Sequence, residues 1–279
     1  MYMHQIADLR APGEAAAEPA ALVFRAVLRG AAHVVWRNRR VRLDEDAWLV
    51  LDGREPVMLQ ADAERGADVF CIGVGAGERD AALGDACARA AAAAGASGGS
   101  GLCFADHLRP MSGPTGQRLF AMAEARAAGR PPARTERLAL VRDAAFEELE
   151  LRRRALRLTC AKPETREELL RRILLAADFI ASHHDEPISL DEMARAASLS
   201  RFHFVRIFRL IHGETPHAFL LKKRTAVARR HLAVGGACRE AASRAGFGSR
   251  SALFRNLRKS SRPGAAPLAA RCEPCSLSA

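Results

Sequence analysis

Arginine, serine and apolar side chains at helical spacing form the most specific chemical pattern in this chain. Over residues 201–211, Phe204, Ile207, Phe208 and Ile211 share one face of a helix, and Arg201, Phe202, Val205, Arg206 and Arg209 share the other. An apolar back fixes such a helix to a core, and a basic front suits a polyanion. An arginine in the middle of that front carries the forked donors that match the N7 and O6 acceptors of guanine, and apolar neighbours suit the methyl group of thymine. The spacing therefore predicts Arg206 as a guanine reader, with Phe202 and Val205 beside it. Taken alone, the spacing also fits an ordinary helical pair with a solvated basic face. A second basic helix is expected from about Arg250 to Lys259. It turns Leu253 and Leu257 inward and leaves Arg250, Ser251, Phe254, Arg255 and Arg258 outward or partly so.

Each basic helix is preceded by the elements needed to aim it. Ser189 stands three residues before Glu192, the pattern of a reciprocal capping box. The helix it opens has Leu190, Met193, Ala194 and Ala197 on its inner face. Ala197-Ser198-Leu199 is a short turn with Leu199 as its apolar plug, and Ser200 caps the basic helix. A connecting helix follows, capped by Thr215 with Pro216 at its first position, and it reaches about Ala233. Then the arrangement repeats: a helix over Ala237–Ala245, a turn at Gly246-Phe247-Gly248 and a cap at Ser249. Two helix-turn-helix units joined by one rigid helix can enter successive major grooves, about 34 Å apart. Base reading is assigned to Phe202, Val205 and Arg206 in the first unit. Phosphate contacts are assigned to Ser200, Arg201, Arg209, Lys222, Lys223, Arg224, Ser249 and Arg258. Arg229-Arg230 is also suited to phosphates, which position a protein on DNA without selecting its sequence.

Charge is distributed to match. From Arg195 to Arg262 there are 16 Lys+Arg against two acids, Glu214 and Glu240, a balance of +14. The whole chain carries +11, so the remainder carries −3. A positive field confined to one segment is the footprint of a nucleic-acid partner. Double-stranded DNA is the expected polyanion.

The run Ser189-Leu-Asp-Glu-Met-Ala-Arg-Ala-Ala-Ser-Leu-Ser200, with His203-Phe204, Phe208-Arg209 and Gly213-Glu-Thr-Pro216, closely resembles the first half of the AraC/XylS-type DNA-binding domain. Ala245-Gly246-Phe247 and Ser249 resemble its second half, and the resemblance implies that Phe202, Val205 and Arg206 read bases from the first recognition helix and Arg250, Ser251 and Arg255 from the second. The resemblance covers about 100 residues, from near 165 to 262, and implies a transcriptional regulator. The second unit departs from the family pattern: Leu253 and Leu257 replace aromatic residues, and the closing turn reads Ser261-Arg262-Pro263-Gly264-Ala265. The last helix and the tail from about Pro263 are accordingly expected to be weakly ordered, with order ending near residue 262.

Upstream, the pattern changes from helix to strand. Leu22–Arg29, His33–Trp36, Arg39–Leu43, Ala47–Leu51, Val57–Gln60 and Asp68–Val74 read as short strands separated by turns, one of them at Arg29-Gly30. Helices are expected over Arg79–Ala94, Gln117–Ala128, Thr135–Arg157 and Arg166–His183. A stripe of Leu138, Val141, Ala145, Leu149 and Leu156 on the third of these must pack within the chain or on a second copy. The expected fold is α+β: a cupin-like β-barrel with a helical appendage over 1–160, then an all-α double helix-turn-helix domain over 161–279. The resemblance implies that the first domain binds a small effector and supports a homodimer, with RNA polymerase a further partner if the protein is an activator. Trp36, Trp48 and Phe70 are the candidate pocket residues, although Trp48, between apolar neighbours, also fits a plain core position.

Other chemistry finds less support. Residues 21–74 contain only His33, and His107 falls on an expected loop. A metal-dependent cupin enzyme with an appended basic region is the alternative reading, and it would need clustered histidines. A methyl-accepting DNA-repair protein would need a four-cysteine zinc cluster and a Pro-Cys-His-Arg site, and Cys71-Ile72-Gly73 supplies neither. No catalytic residue, metal or cofactor is therefore assigned. The seven cysteines are expected as reduced thiols, and Cys272-Glu-Pro-Cys275 lacks a second pair for zinc. With no apolar run of about 18 residues and no signal-like start, the protein is expected in the cytoplasm, away from membranes. Its hydrophobic fraction of 49% is partly alanine and only 5% of residues are aromatic, so its cores have few large anchors.

Overall fold

The computed structural model describes residues 3–8, 20–63, 66–93, 102–158 and 162–260. Strand β2 (Leu22–Trp36) organises the N-terminal half. The turn expected at Arg29-Gly30 is absent, and one strand runs through it. Gly30 has φ +84, and the register with β6 (Ala67–Val74) slips between Val27 and Arg29. A glycine with positive φ serves a β-bulge as well as a turn, and a bulge bends its strand. Before the bend β2 lies between β6 and β4 (Ala47–Asp52); beyond it β2 pairs with β3 (Arg39–Asp44) and β5 (Met58–Ala61). The sheet therefore curls into a half-barrel. Two further strands complete the sheet where none was expected: β1 (Met3–Asp8), parallel to β6, and the two-residue β7 (Arg109–Pro110), on the edge of β4.

Alternation along the strands gives the sheet two apolar faces. On one, Phe24, Trp48, Val50, Phe70 and Ile72 pack against α1 (Ala76–Ala93), α2 (Pro114–Ala127) and α3 (Arg134–Ala155). On the other, Val27, Val34, Trp36, Leu43, Leu49 and Val69 pack on one another across the curl. Leu138, Val141, Ala145 and Leu149 of the α3 stripe join the first of these cores, so its partner is within the chain, and Leu156 is exposed. A buried carboxylate ties α3 to the loop before β7. Glu148 accepts from Arg109 at 2.5 Å, Arg152 at 2.9 Å and the Ala105 N–H at 3.2 Å. Three donors offset the cost of burying the charge.

Helix α4 (Pro163–Ser182) opens the all-α half with Pro163 in its first turn. Its Leu170, Ile173, Leu174, Ala177 and Ile180 share a core with α5 (Leu190–Ala196), α6 (Arg201–His212) and the start of α7 (Pro216–Ala233). Ala155 and Leu158, at the end of α3, enter the same core. A separate, smaller core joins Ala228 and Leu232 of α7 to α8 (Cys238–Arg244), Phe247 and α9 (Arg250–Ser260). The last helix, expected to be weakly held, is formed to Ser260 with Leu253 and Leu257 buried. The tail from Pro263, with Cys272 and Cys275, lies outside the described residues. Cys71 and Cys103 lie outside any disulfide, whereas Cys238 is disulfide-bonded, a departure from the expectation of reduced thiols throughout. No helix among the described residues is long and apolar enough to cross a membrane.

Candidate nucleic-acid interface

Capping defines the first unit residue by residue. The Ser189 hydroxyl accepts the Glu192 N–H at 3.3 Å, and Glu192 accepts the Ser189 N–H at 2.8 Å, which closes the expected box. Ser198 takes φ +51 in the turn, and Ser200 then caps α6 by accepting the His203 N–H. At the far end Gly213, with φ +77, stops α6 in the left-handed conformation, and Thr215 caps α7 with Pro216 following. Phe204, Ile207, Phe208 and Ile211 are buried, and their burial fixes which face of α6 looks outward.

That outward face carries the expected residues. Phe202 is 82% exposed, Arg201, Arg206 and Arg209 are exposed, and Val205 is half-buried at the margin. An aromatic side chain held this far into solvent gains nothing from the fold. Arg206 lies with its guanidinium 3.4 Å from the His203 ring. His203 was not among the expected site residues; its position three before Arg206 on a helix was the available signal. Arg201 pairs with Asp191 of α5, and Ser200 is exposed at the helix start.

The second unit presents the same face on a smaller support. Arg250, Ser251, Arg255 and Arg258 are exposed, and Phe254 is half-buried. Ser249 caps α9 by accepting the Ala252 N–H at 3.2 Å. A cleft of about 550 Å³ beside this cap is lined by Arg239, Ala242, Ser243, Phe247, Gly248, Ser249 and Arg250. Arg239 and Ser243 thus stand beside the start of α9, although neither was expected there.

The three adjacent cations of α7 point to three different surroundings. Lys222 is exposed, with Glu214 at 3.4 Å. Lys223 faces the N-terminal half and donates to Asp44 at 2.6 Å. Arg224 donates to the carbonyls of His184 and Glu186, each at 2.6 Å. Of the three, only Lys222 stands open to a phosphate; Lys223 and Arg224, assigned to phosphates from sequence, are engaged inside the chain.

The proposed effector residues are not brought together. Trp36 lies on the face enclosed by the curl, with the Arg39 guanidinium 4.7 Å from its ring centroid. Trp48 and Phe70 lie on the opposite face, under the helices. All three are buried, and Trp48 holds the core position weighed for it from sequence. His33 sits half-buried on β2, where burial and then Arg40 and Arg42 lower its pKa; His107 is buried, and burial holds its pKa well below the ordinary value. Among the described residues no three His, Cys, Asp or Glu side chains are grouped to hold a metal ion.

Residues 193–262 match the family model described as a helix-turn-helix domain. Among solved structures, the chain is similar to the DNA-binding domain of AdpA, a global transcriptional factor crystallised with a target DNA. Identity is 30%, covering 36% of this chain and 88% of that one, with a TM-score of 0.32. It is also similar to ToxT from Vibrio cholerae, at 10% identity over 87% of this chain and 86% of that one, TM-score 0.35. A third is the xylose-binding transcription activator XylR, at 18% identity over 47% of this chain and 38% of that one, TM-score 0.31. No curated protein matches the chain. At such TM-scores the superpositions carry no weight, and the domain rests on the match of residues 193–262.

Proposed function

The C-terminal region belongs to the AraC-type helix-turn-helix domains, and from that premise we propose that the protein is a sequence-specific, duplex-DNA-binding transcriptional regulator. The observation that carries this reading is the outward face of α6: Phe202 and three arginines in solvent, over an apolar back that is fully buried. Among the described residues, that face is tied to the rest of the chain by the Arg201–Asp191 pair and the half-buried Val205. Its residue types match what base edges and phosphates offer. Arg206, with Phe202 and Val205, reads bases in one major groove, and Arg250, Ser251 and Arg255 read them in the next. Ser200, Arg201, Arg209, Lys222, Ser249 and Arg258 meet phosphates.

The N-terminal half-barrel, up to a boundary near residue 160, is the regulatory domain of this reading. A small effector would act there, and a homodimer, RNA polymerase contact and a cytoplasmic location belong to the same proposal. It assigns no catalysis. The decisive experiment is a gel-shift titration on duplexes selected from a randomised pool. Arg206→Ala is expected to weaken binding by roughly 1–3 kcal/mol and to relax selectivity at one base pair. Equal affinity and equal selectivity in mutant and wild type would remove α6 from the interface.

A further inference from the structure

One short stretch of the half-barrel, strand β3 and the turn after it, makes ionic contacts with the helix-turn-helix half in both directions. It gives cations to acids: Arg39 pairs with Asp178 of α4 at 2.6 Å, and Arg42 with Asp185 at 2.7 Å. It also gives acids to cations. Asp44 holds Lys223 at 2.6 Å, Glu45 holds Arg230 at 2.9 Å, and Asp46 pairs with Arg230 and lies 3.5 Å from Lys223. Backbone contacts reinforce the seam, with the Leu108 N–H donating to Asp178 at 2.8 Å and the Arg42 N–H to the Ser182 hydroxyl at 3.0 Å. Several of these groups are out of water: Asp178, Arg42, Asp44 and Lys223 are all about a tenth exposed or less. The turn itself is stiff, because Glu45 accepts the Gly30 N–H at the bulge of β2 and Asp44 accepts the Asp46 N–H.

The two helix-turn-helix units depend on this seam unequally. The first is embedded in a large core with α3 and α4. Among the described residues the second shares a core only with α7, and it also rests on the segment at His184 and Asp185, where Gly246 approaches the His184 carbonyl closely. Both supports are gripped by β3 and its turn. Lys223 and Arg230 lie two turns apart on one face of α7, and Asp185 is held by Arg42. Arg224 joins the supports to each other through the carbonyls of His184 and Glu186.

We propose that the β3–β4 turn is a two-way charge latch through which the half-barrel holds the second helix-turn-helix unit in a fixed relation to the first. With the latch closed, α7 and the His184–Asp185 segment form one platform, and both reader helices keep one spacing. With it open, the second unit keeps α7 and its Arg224 link to the His184 and Glu186 carbonyls but loses the grip of the half-barrel. The latch gives any event in the half-barrel that moves the turn a physical route to the second reader helix.

Amide hydrogen exchange on the full chain without DNA tests this directly. Neutralising the turn with Asp44→Asn, Glu45→Gln and Asp46→Asn together is expected to speed exchange over residues 238–258 on the order of tenfold, leaving 201–212 and 22–36 as in wild type. Arg230→Gln, a milder change at a partly exposed side chain, is expected to shift the same peptides in the same direction by less. It answers the question even if the triple variant does not fold. Unchanged exchange over 238–258 in a folded variant would overturn the latch. So would acceleration spread equally over 201–212. The consequence for DNA rests on the proposed DNA reading, but the exchange result does not. Either can therefore fail without the other.

Discussion

Gly246→Ala probes the support of the second unit at its narrowest point. Gly246 has φ +73, a region in which a Cβ costs about 1–2 kcal/mol. A Cβ there would also lie 2.5 Å from the His184 carbonyl oxygen and 2.8 Å from the Asp185 Cα. Both are backbone atoms in a segment held by Arg42 and Arg224. Relieving such a clash means lifting the turn off its platform, at a cost in the range of overpacking, about 1–3 kcal/mol. The two contributions together give roughly 2–5 kcal/mol. The core that must absorb this is small, and four of its eight buried side chains are alanine. The second unit should therefore loosen before the rest of the chain does. Exchange over 238–258 should rise steeply, and a two-groove target should bind little better than a single-groove one. Gly248→Ala is the control within the same turn, since nothing lies within 4 Å of its Cβ and its φ is not positive. If the two variants show equal protection and equal DNA affinity, then the close approach at Gly246 does not support the second unit.

Two further outcomes follow from the electrostatics. Burial lowers His184 and His212 to about 4 and His107 well below its ordinary value, so all three are neutral when folded and take protons at about 6.5 when unfolded. Their contribution is intact above 6.5 and is lost as pH falls toward 4. Asp178 opposes them: burial raises it to about 7, so the folded chain takes up that proton first and gains stability over the same range. Among these four groups the unfolded state binds a net two more protons near pH 5, so stability falls with acid. Asp178→Asn should steepen the fall by roughly 1.4 kcal/mol per pH unit in urea denaturation, and identical slopes would contradict the assignment. On DNA, Lys222→Ala should lower the slope of log affinity against log salt by about one, whereas Lys223→Ala should leave the slope unchanged because Asp44 already holds Lys223. Equal slope changes would mean that Lys223 is released onto a phosphate.

Helix α6 was legible in the sequence because everything that defines it is local. Ser189 and Glu192 find each other within one turn, Ser200 meets the His203 N–H three residues on, and the apolar period of α6 decides its outward face. Short-range rules of this kind require no knowledge of the rest of the fold. The half-barrel was legible as strands but not as a curl. Gly30 signalled a reversal, and whether a positive-φ glycine makes a turn or a bulge is decided by what pairs beyond it. The effector residues failed for a related reason: Trp36 and Trp48 share a chemical type, but the alternation of their strands sends them to opposite faces.

Lys222, Lys223 and Arg224 show where local reading ends. In sequence they are one basic cluster, and each suits a phosphate equally. Successive residues on a helix point about 100° apart, so adjacent cations cannot share one partner surface. Here the rotation sends Lys222 to solvent, Lys223 to an acid 179 residues earlier and Arg224 to two carbonyls about 40 residues earlier. The −3 balance outside the basic segment was a weak sign of this, since it includes Asp44, Glu45 and Asp46, which meet Lys223 and Arg230. Net charge identified the partner class of the domain. It could not separate cations that face DNA from cations that hold the two halves together, because that division is made by tertiary contact alone.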